Sequence, residues 1–142
     1  MQVLLENLPA FSREVLGNIE QRKNRAFVLF LQGELGAGKT TFMQALAREI
    51  GIKGTVQSPT FVLMRAYPIS YKGFTKLVHI DAYRFEKPDE FRALRPNDFL
   101  KDPHTLVCIE WPERIEGMLQ NPDLTIQFLH RDAMDSREIN LQ

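Results

Sequence analysis

The sequence predicts an α/β fold whose sheet is covered on both faces, and three observations support this prediction. Short, wholly apolar runs recur along the 142-residue chain, as expected of strands that are buried on both faces. In the first half, these runs alternate with segments whose apolar residues have helical spacing. Hydrophobic residues make up 44% and charged residues 25% of the chain, which is typical of a folded domain and excludes a wholly disordered chain. We therefore expect a single domain over residues 1–142.

The first half of the chain has the pattern of a helix, a strand, a glycine-rich loop and a second helix. Apolar spacing predicts a helix over residues 8–22, and the apolar run at 26–31 predicts a buried strand. Residues 32–39 are rich in glycine. Residues 40–50 again have helical spacing, and Gly51 follows as a helix stop.

The second half of the chain contains further apolar runs. Runs at 75–80 and 105–109 predict strands that end at Asp81 and Glu110, and residues 67–74 are predicted to form a hairpin connection. The charged segment 87–100 has helical spacing that Pro96 interrupts. Two late strands, at 124–129 and 138–141, are expected nearer an edge of the sheet.

Charge and cysteine content exclude several classes of protein. Eighteen basic residues balance eighteen acidic ones, so no bulk field attracts nucleic acid, and any contact with RNA is local or shared with a partner. The single cysteine, Cys108, cannot form an internal disulfide, and no Cys/His cluster has zinc spacing. The first residues lack the pattern of a signal peptide, and no apolar stretch approaches the ~18 residues of a membrane span. We therefore expect a cytoplasmic protein.

The segment 33–40 (GELGAGKT) matches the Walker A pattern G-x-x-x-x-G-K-[ST]. Glycines let backbone N–H groups surround phosphate oxygens, and the helix that follows directs its positive end at the same anion. Lys39 can reach the β- and γ-phosphates, and the Thr40 hydroxyl can bind Mg²⁺. A glycine turn that merely precedes a helix is the alternative, but the expected strand and helix flank this one. The predicted nucleotide-binding residues here are Gly33, Glu34, Leu35, Gly36, Ala37, Gly38, Lys39, Thr40 and Thr41.

Two of the apolar strands end in an acid, Asp81 and Glu110. A phosphate-loop site needs a carboxylate on a neighbouring strand to hold or orient Mg²⁺. Acids also flank buried strands simply because they tolerate solvent. With Lys39 and Thr40 in place, we expect at least one of the two acids in the metal shell. The spacing leaves open which binds directly and which acts through water.

Five other residues each have a functional and a structural interpretation. Thr60 could sense the γ-phosphate through Mg²⁺ or satisfy a turn. His79 lies in an apolar strand, which favours a core histidine. Trp111 could stack on a base or pack, and Arg84 and Arg114 could contact phosphate or remain solvated at the surface.

Four blocks in order resemble the TsaE family of small bacterial P-loop ATPases of tRNA threonylcarbamoyladenosine synthesis: GELGAGKTT at 33–41, SPTF at 58–61, HIDAYR at 79–84 and IEWPER at 109–114. The resemblance implies a P-loop NTPase-type three-layer fold, with a central, mostly parallel sheet flanked by helices. It also implies hydrolysis of ATP with Mg²⁺. Members assist the transferase TsaD and its partner TsaB, which modify adenosine 37 of tRNA. The tRNA is then contacted only indirectly or through that complex, and no membrane is involved.

The resemblance also assigns roles to residues. Ala82 departs from the aliphatic residue common in the family, and residues 89–103 and the C-terminal tail match poorly, so no partner contact is assigned there. The catalytic residues are expected to be Lys39, Asp81 and Glu110; the metal ligands Thr40 and Glu110; and further nucleotide-binding residues Thr60, in a switch-like loop, and Trp111.

Two other functions remain open at this level. A small-molecule kinase would use the same phosphate loop, but it needs an arginine-bearing lid and an acceptor pocket, for which 142 residues leave little room. A nucleotide-dependent assembly switch would bind without hydrolysing, and the two acids at the strand ends favour catalysis over that reading. A GTPase is disfavoured because the sequence has no N-K-x-D segment.

Overall fold

A seven-stranded sheet organises the protein in the computed structural model, which describes residues 2–4, 7–33, 38–53, 64–115, 117–129 and 136–141. Four α-helices and two short 3₁₀ helices, Ala82–Arg84 and Pro112–Ile115, accompany it within these ranges. The strands are β1 (Gln2–Leu4), β2 (Phe27–Gly33), β3 (Met64–Tyr71), β4 (Phe74–Asp81), β5 (Thr105–Glu110), β6 (Leu124–Leu129) and β7 (Ser136–Leu141). The helices are α1 (Leu8–Leu16), α2 (Lys39–Ile50), α3 (Pro88–Arg92) and α4 (Asn97–Leu100).

The strand order is β1-β7-β6-β2-β5-β4-β3. The four central strands, β6, β2, β5 and β4, are mutually parallel. The three outer pairs are antiparallel. The predicted α/β fold with a central parallel sheet is therefore confirmed, with antiparallel strands added at both sides. Because the central strands are parallel, their carboxyl ends share one edge, where ligands of open α/β sheets bind.

One face of the sheet is covered by α1 and α2. Phe42 of α2 lies edge-on to Phe11 and to Phe128 of β6, with ring centroids 5.8 and 5.6 Å apart. Helix α1 was expected to reach residue 22 but ends at Leu16. Lys72, at the distant hairpin turn, donates from Nζ to the carbonyl oxygens of Leu16 and Ile19 at 2.7 and 3.1 Å. This long-range cap stabilises the helix end. It cannot be predicted from the apolar spacing within the helix, because Lys72 lies 56 positions from Leu16.

Short helices cover the opposite face. The segment 87–100 was predicted as helical with a break at Pro96, and it forms two short helices, α3 and α4. Between them, Arg95 has a left-handed φ of 54° and Pro96 caps α4. The buried side chains of this face include Val28, Ile80, Phe85, Phe91, Phe99, Val107, Ile109 and Ile115.

The predicted hairpin is present, but its strands are longer than expected. Residues 67–71 belong to β3, so the connection consists only of Lys72 and Gly73, whose φ values of 49° and 87° match a tight left-handed turn. Strand β6 has the predicted bounds and pairs with β2, and β7 lies next to the edge strand β1. Residues 34–37, the turn at Ser58-Pro59 and Thr60 lie outside the described residues. Across the described ranges, none of the helices has both the length and the hydropathy of a membrane span.

Candidate nucleotide site

The two ends of the glycine loop are held by strand β2 and helix α2. Gly33 is the last residue of β2, with a φ of 150°, and lies opposite Phe128 of β6. A Cβ at Gly33 would lie 2.5 Å from the Phe128 carbonyl oxygen, so only glycine fits this register. Gly38 precedes α2 with a left-handed φ of 104°. The predicted sequence of strand, glycine loop and helix is therefore confirmed at both ends, although Glu34, Leu35, Gly36 and Ala37 are not described.

Lys39 is the first residue of α2, and its side chain is directed back towards the loop. Only 5% of the residue is exposed. Its ammonium group donates a hydrogen bond to the carbonyl oxygen of Gly33 and lies 4.3 Å from the centre of the Trp111 ring. Thr40, half-buried, and Thr41, exposed, follow in the first turn of the helix. A buried cation is thus held at the carboxyl edge of the sheet, beside the end of β2.

The two predicted acids lie side by side. Asp81 ends β4 and Glu110 ends β5, and the two residues are register partners on these adjacent parallel strands. Asp81 is 9% and Glu110 3% exposed. One oxygen of each carboxylate is engaged: Asp81 Oδ1 accepts from the Tyr83 N–H at 3.0 Å, and Glu110 Oε2 is 2.6 Å from His79 Nε2. Each acid therefore keeps one oxygen that receives no hydrogen bond from the described residues.

Asp81 interacts electrostatically with Glu110, His79 and Lys39. Burial raises the pKa of Asp81 above its ordinary value, and the neighbouring Glu110 carboxylate raises it further. The Tyr83 N–H, His79 and Lys39 oppose that increase. Perturbed carboxyl groups beside a positioned cation are a common feature of functional sites.

Trp111 follows Glu110 directly and has a left-handed φ of 59°. Its N–H donates to the Leu31 carbonyl oxygen at 3.2 Å. Its ring packs against Tyr83, with centroids 4.9 Å apart, and the guanidinium carbon of Arg114 lies 5.0 Å from the Tyr83 ring centre. A continuous series of contacts between cations and aromatic rings therefore runs from Lys39 through Trp111 and Tyr83 to Arg114. For Trp111, the structure gives packing; base stacking stays a prediction.

An open groove lies beside Tyr83 and Arg114, at the end of this series of contacts away from Lys39. It has a volume of about 480 Å³ and is lined by Tyr83, Arg84, Phe85, Glu86 and Arg114. Arg84 and Arg114 are both exposed. The groove carries charges of both signs.

The oxygen donors at this edge are of the kind that Mg²⁺ uses. Mg²⁺ is a hard cation that takes one or two protein oxygens and keeps several waters. Thr40, Asp81 and Glu110 supply such oxygens, and the described residues contain no group of three or more His, Cys, Asp or Glu side chains that would form an all-protein cage. The donor set thus fits a magnesium ion that shares its shell with phosphate oxygens and water.

The structure brings together at one edge four residues that the sequence named as site residues: Lys39, Asp81, Glu110 and Trp111. Their roles stay predictions, and sequence reasoning missed a contact between β4 and β5. His79 is fully buried, as predicted for a core histidine, yet its ring bonds Glu110. Its position two residues before Asp81 puts both side chains on the same face of β4, which was the available signal. Thr60 is not described, so its switch-like role stays a prediction.

Comparison with known proteins gives matches over most of the chain. The family model described as threonylcarbamoyl adenosine biosynthesis protein TsaE matches residues 6–139. The "tRNA threonylcarbamoyladenosine biosynthesis protein TsaE" of Haemophilus influenzae is 34% identical over 117 residues, which are 82% of this chain and 70% of that protein. The protein of the same name from Streptomyces coelicolor is 42% identical over 96 residues, 66% of this chain and 63%, less than two thirds, of the relative.

Among solved structures, a crystal structure of YdiB from Bacillus subtilis superposes with a TM-score of 0.64 at 30% identity. The superposed region covers 98% of this chain and 80% of the YdiB chain. The matched span of the family model includes the phosphate loop and both acids, so the resemblance seen in four short blocks extends over nearly the whole sequence. The chain belongs to the TsaE family of threonylcarbamoyl adenosine biosynthesis proteins.

Proposed function

We propose that this protein binds ATP with Mg²⁺ and hydrolyses it in support of the threonylcarbamoyladenosine modification of tRNA. One observation supports this most directly. The buried Lys39 lies at the same sheet edge as Asp81 and Glu110, two acids paired in register on adjacent strands. A phosphate-binding cation beside paired carboxylates is the arrangement that phosphoryl-transfer sites use.

Each residue has a defined part in the proposed reaction. Backbone N–H groups between Gly33 and Gly38 would bind the phosphates, and Gly38 precedes the positive end of α2. Lys39 exchanges its contact with the Gly33 carbonyl for the β- and γ-phosphate oxygens and stabilises the charge that develops during transfer. Thr40 and one of the two acids would hold the metal, and the other acid would orient the attacking water. Bound magnesium would neutralise charge on the phosphate oxygens.

The names of the relatives suggest the pathway. Proteins that are 34% and 42% identical to this chain are named for tRNA threonylcarbamoyladenosine biosynthesis. We infer that this chain acts with the transferase TsaD and its partner TsaB, which modify adenosine 37, and does not transfer the group itself. The zero net charge supports contact with tRNA only through that complex. We expect the protein to work in the cytoplasm with these partners.

The test is ATP turnover measured with and without the TsaD–TsaB complex. We expect phosphate release that rises in the presence of the complex and is lost in Lys39→Ala. Lys101→Ala, which removes an exposed lysine far along the chain, is the matched control and should behave as the wild type. Normal hydrolysis by Lys39→Ala would contradict the assignment.

Two outcomes would redirect the proposal. A phosphorylated metabolite formed in place of free phosphate would identify a small-molecule kinase. ATP binding that changes association with TsaD–TsaB without any turnover would identify an assembly switch.

A further inference from the structure

We propose that His79 is a positioning residue that fixes the Glu110 carboxylate at the nucleotide site. This inference rests on the proposed function, in which Glu110 binds the metal or orients water. The His79 side chain is fully buried and the Glu110 side chain is 4% exposed. His79 Nε2 and Glu110 Oε2 are 2.6 Å apart, a short hydrogen bond of the charge-assisted kind.

The direction of this bond follows from the chemistry of its partners. An ionised carboxylate only accepts hydrogen bonds, so His79 Nε2 carries the hydrogen and donates it. The other ring nitrogen, Nδ1, is buried and has no partner among the described residues. A buried polar atom without a partner is costly, and an apolar side chain of similar size would fill this position without that cost. The contact with Glu110 is therefore the interaction that an imidazole adds here.

The bond restricts a side chain that has several rotatable bonds. A free glutamate samples many rotamers, and ordering it costs conformational entropy. With Oε2 held by His79 on the neighbouring strand β4, Glu110 keeps Oε1 for a metal ion or water. Without that restraint, the carboxylate regains its freedom to sample several rotamers, and Oε1 is no longer fixed. His79 thus keeps the acid available to the reaction.

The experiment compares three substitutions of His79. His79→Leu removes the donor and keeps the bulk, and His79→Asn keeps polarity but is too short to reach Glu110. His79→Gln can place an amide N–H close to the position of Nε2. We expect His79→Leu and His79→Asn to lower kcat for ATP in the TsaD–TsaB complex by about 10- to 100-fold, the range seen when partners of metal ligands are lost. His79→Gln should recover most of that loss.

A binding measurement supplies a readout that does not depend on turnover. The affinity for a nonhydrolysable ATP analogue is measured by calorimetry with and without Mg²⁺. We expect the gain in affinity from Mg²⁺ to shrink by about tenfold in His79→Leu and His79→Asn, and to persist in His79→Gln. His104→Leu, which alters an exposed histidine, should leave both measurements unchanged.

A double-mutant cycle tests whether His79 acts through Glu110. In the Glu110→Gln background, His79→Leu should cause no further fall in kcat, because the acid that it positions is already absent. An equal fall in both backgrounds would overturn the proposal. So would a His79→Gln variant that loses as much activity as His79→Asn.

Folding and the proposed function are separated from this inference by controls. Thermal melting identifies any variant that fails to fold, and if His79→Leu does so, the comparison of His79→Asn with His79→Gln decides the test. If the wild-type complex does not hydrolyse ATP, the proposed function fails, and the Mg²⁺ dependence of analogue binding still decides the role of His79. Unchanged Mg²⁺ dependence in a folded His79→Asn variant would refute that role.

Discussion

Replacing Gly33 with alanine tests whether the phosphate loop depends on one close backbone approach. Gly33 ends β2 and is the register partner of Phe128. An added Cβ would meet the Phe128 carbonyl oxygen at 2.5 Å and the Phe128 Cβ at 2.9 Å. Both atoms belong to the neighbouring strand and have no room to move without opening the β2–β6 pair. The substitution should therefore displace the point at which the loop begins.

The size of the effect has two parts. A residue with a Cβ at a positive φ costs about 1–2 kcal/mol, and forcing an extra methyl group into a packed position costs about 1–3 kcal/mol. We expect Gly33→Ala to lower the free energy of unfolding by about 2–5 kcal/mol. For a chain of this size, each kcal/mol corresponds to a fall in Tm of about 2–4 °C.

Gly51 offers a matched control. It also has a positive φ, 107°, but an added Cβ would meet no atom within 4 Å, and it ends α2 far from the loop. Gly51→Ala should cost only the backbone part, about 1–2 kcal/mol, and leave nucleotide binding unchanged. In calorimetry, Gly33→Ala should lose at least about tenfold in ADP affinity, equivalent to about 1.4 kcal/mol. If Gly33→Ala binds ADP like the wild type and melts no lower than Gly51→Ala, the close approach at Phe128 does not control the loop.

Three further predictions concern acids and the core. Burial raises the folded-state pKa of Asp81, so the stability that this group contributes is present at low pH and is lost as pH rises through the raised value. Asp81→Asn should therefore gain stability relative to the wild type as pH rises above about 4, the ordinary pKa of an aspartate, while ATP turnover falls. Asp123 accepts from both nitrogens of the Arg25 guanidinium at 2.7 Å, so Asp123→Ala should cost about 1–3 kcal/mol in urea unfolding, with Asp102→Ala as a weaker comparison. Phe42→Ala, which empties a buried site between two rings, should cost about 3–5 kcal/mol in the same assay.

The parts of the fold that the sequence predicts are those governed by local pattern. The strand, loop and helix around the phosphate loop follow from an apolar run, a glycine pattern and helical spacing, and both described ends of the loop have the positive φ values that only glycine adopts easily. Asp81 and Glu110, which the sequence identifies as acids that end apolar strands, lie at one edge because parallel strands align their carboxyl ends. In these cases the residue types and their periodic spacing are sufficient to predict the local structure.

The parts that the sequence does not predict depend on distant contacts. Helix α1 ends at Leu16, with Gly17 as its C-cap, and a lysine from the β3–β4 turn donates to the Leu16 carbonyl oxygen. Residues 67–71 extend as a strand although Pro68 favours a connection, since β3 pairs with β4 on one side only and an edge position tolerates a missing N–H donor. The bond between His79 and Glu110 joins residues 31 positions apart, and no spacing rule links them.

The buried polar groups at this edge are costly, and this cost is itself an argument about function. Asp81 and Glu110 are two carboxylates side by side, each nearly out of contact with water, and both burial and the neighbouring Glu110 carboxylate raise the pKa of Asp81. Apolar residues at these strand ends would make the sheet more stable, because replacing buried ionic groups with well-packed apolar ones is often stabilising. The protein instead surrounds the acids with the Tyr83 N–H, an imidazole and the Lys39 ammonium. A cluster of costly polar groups at the carboxyl edge of the sheet therefore supports the nucleotide chemistry that we propose, because the folding of the chain does not require it.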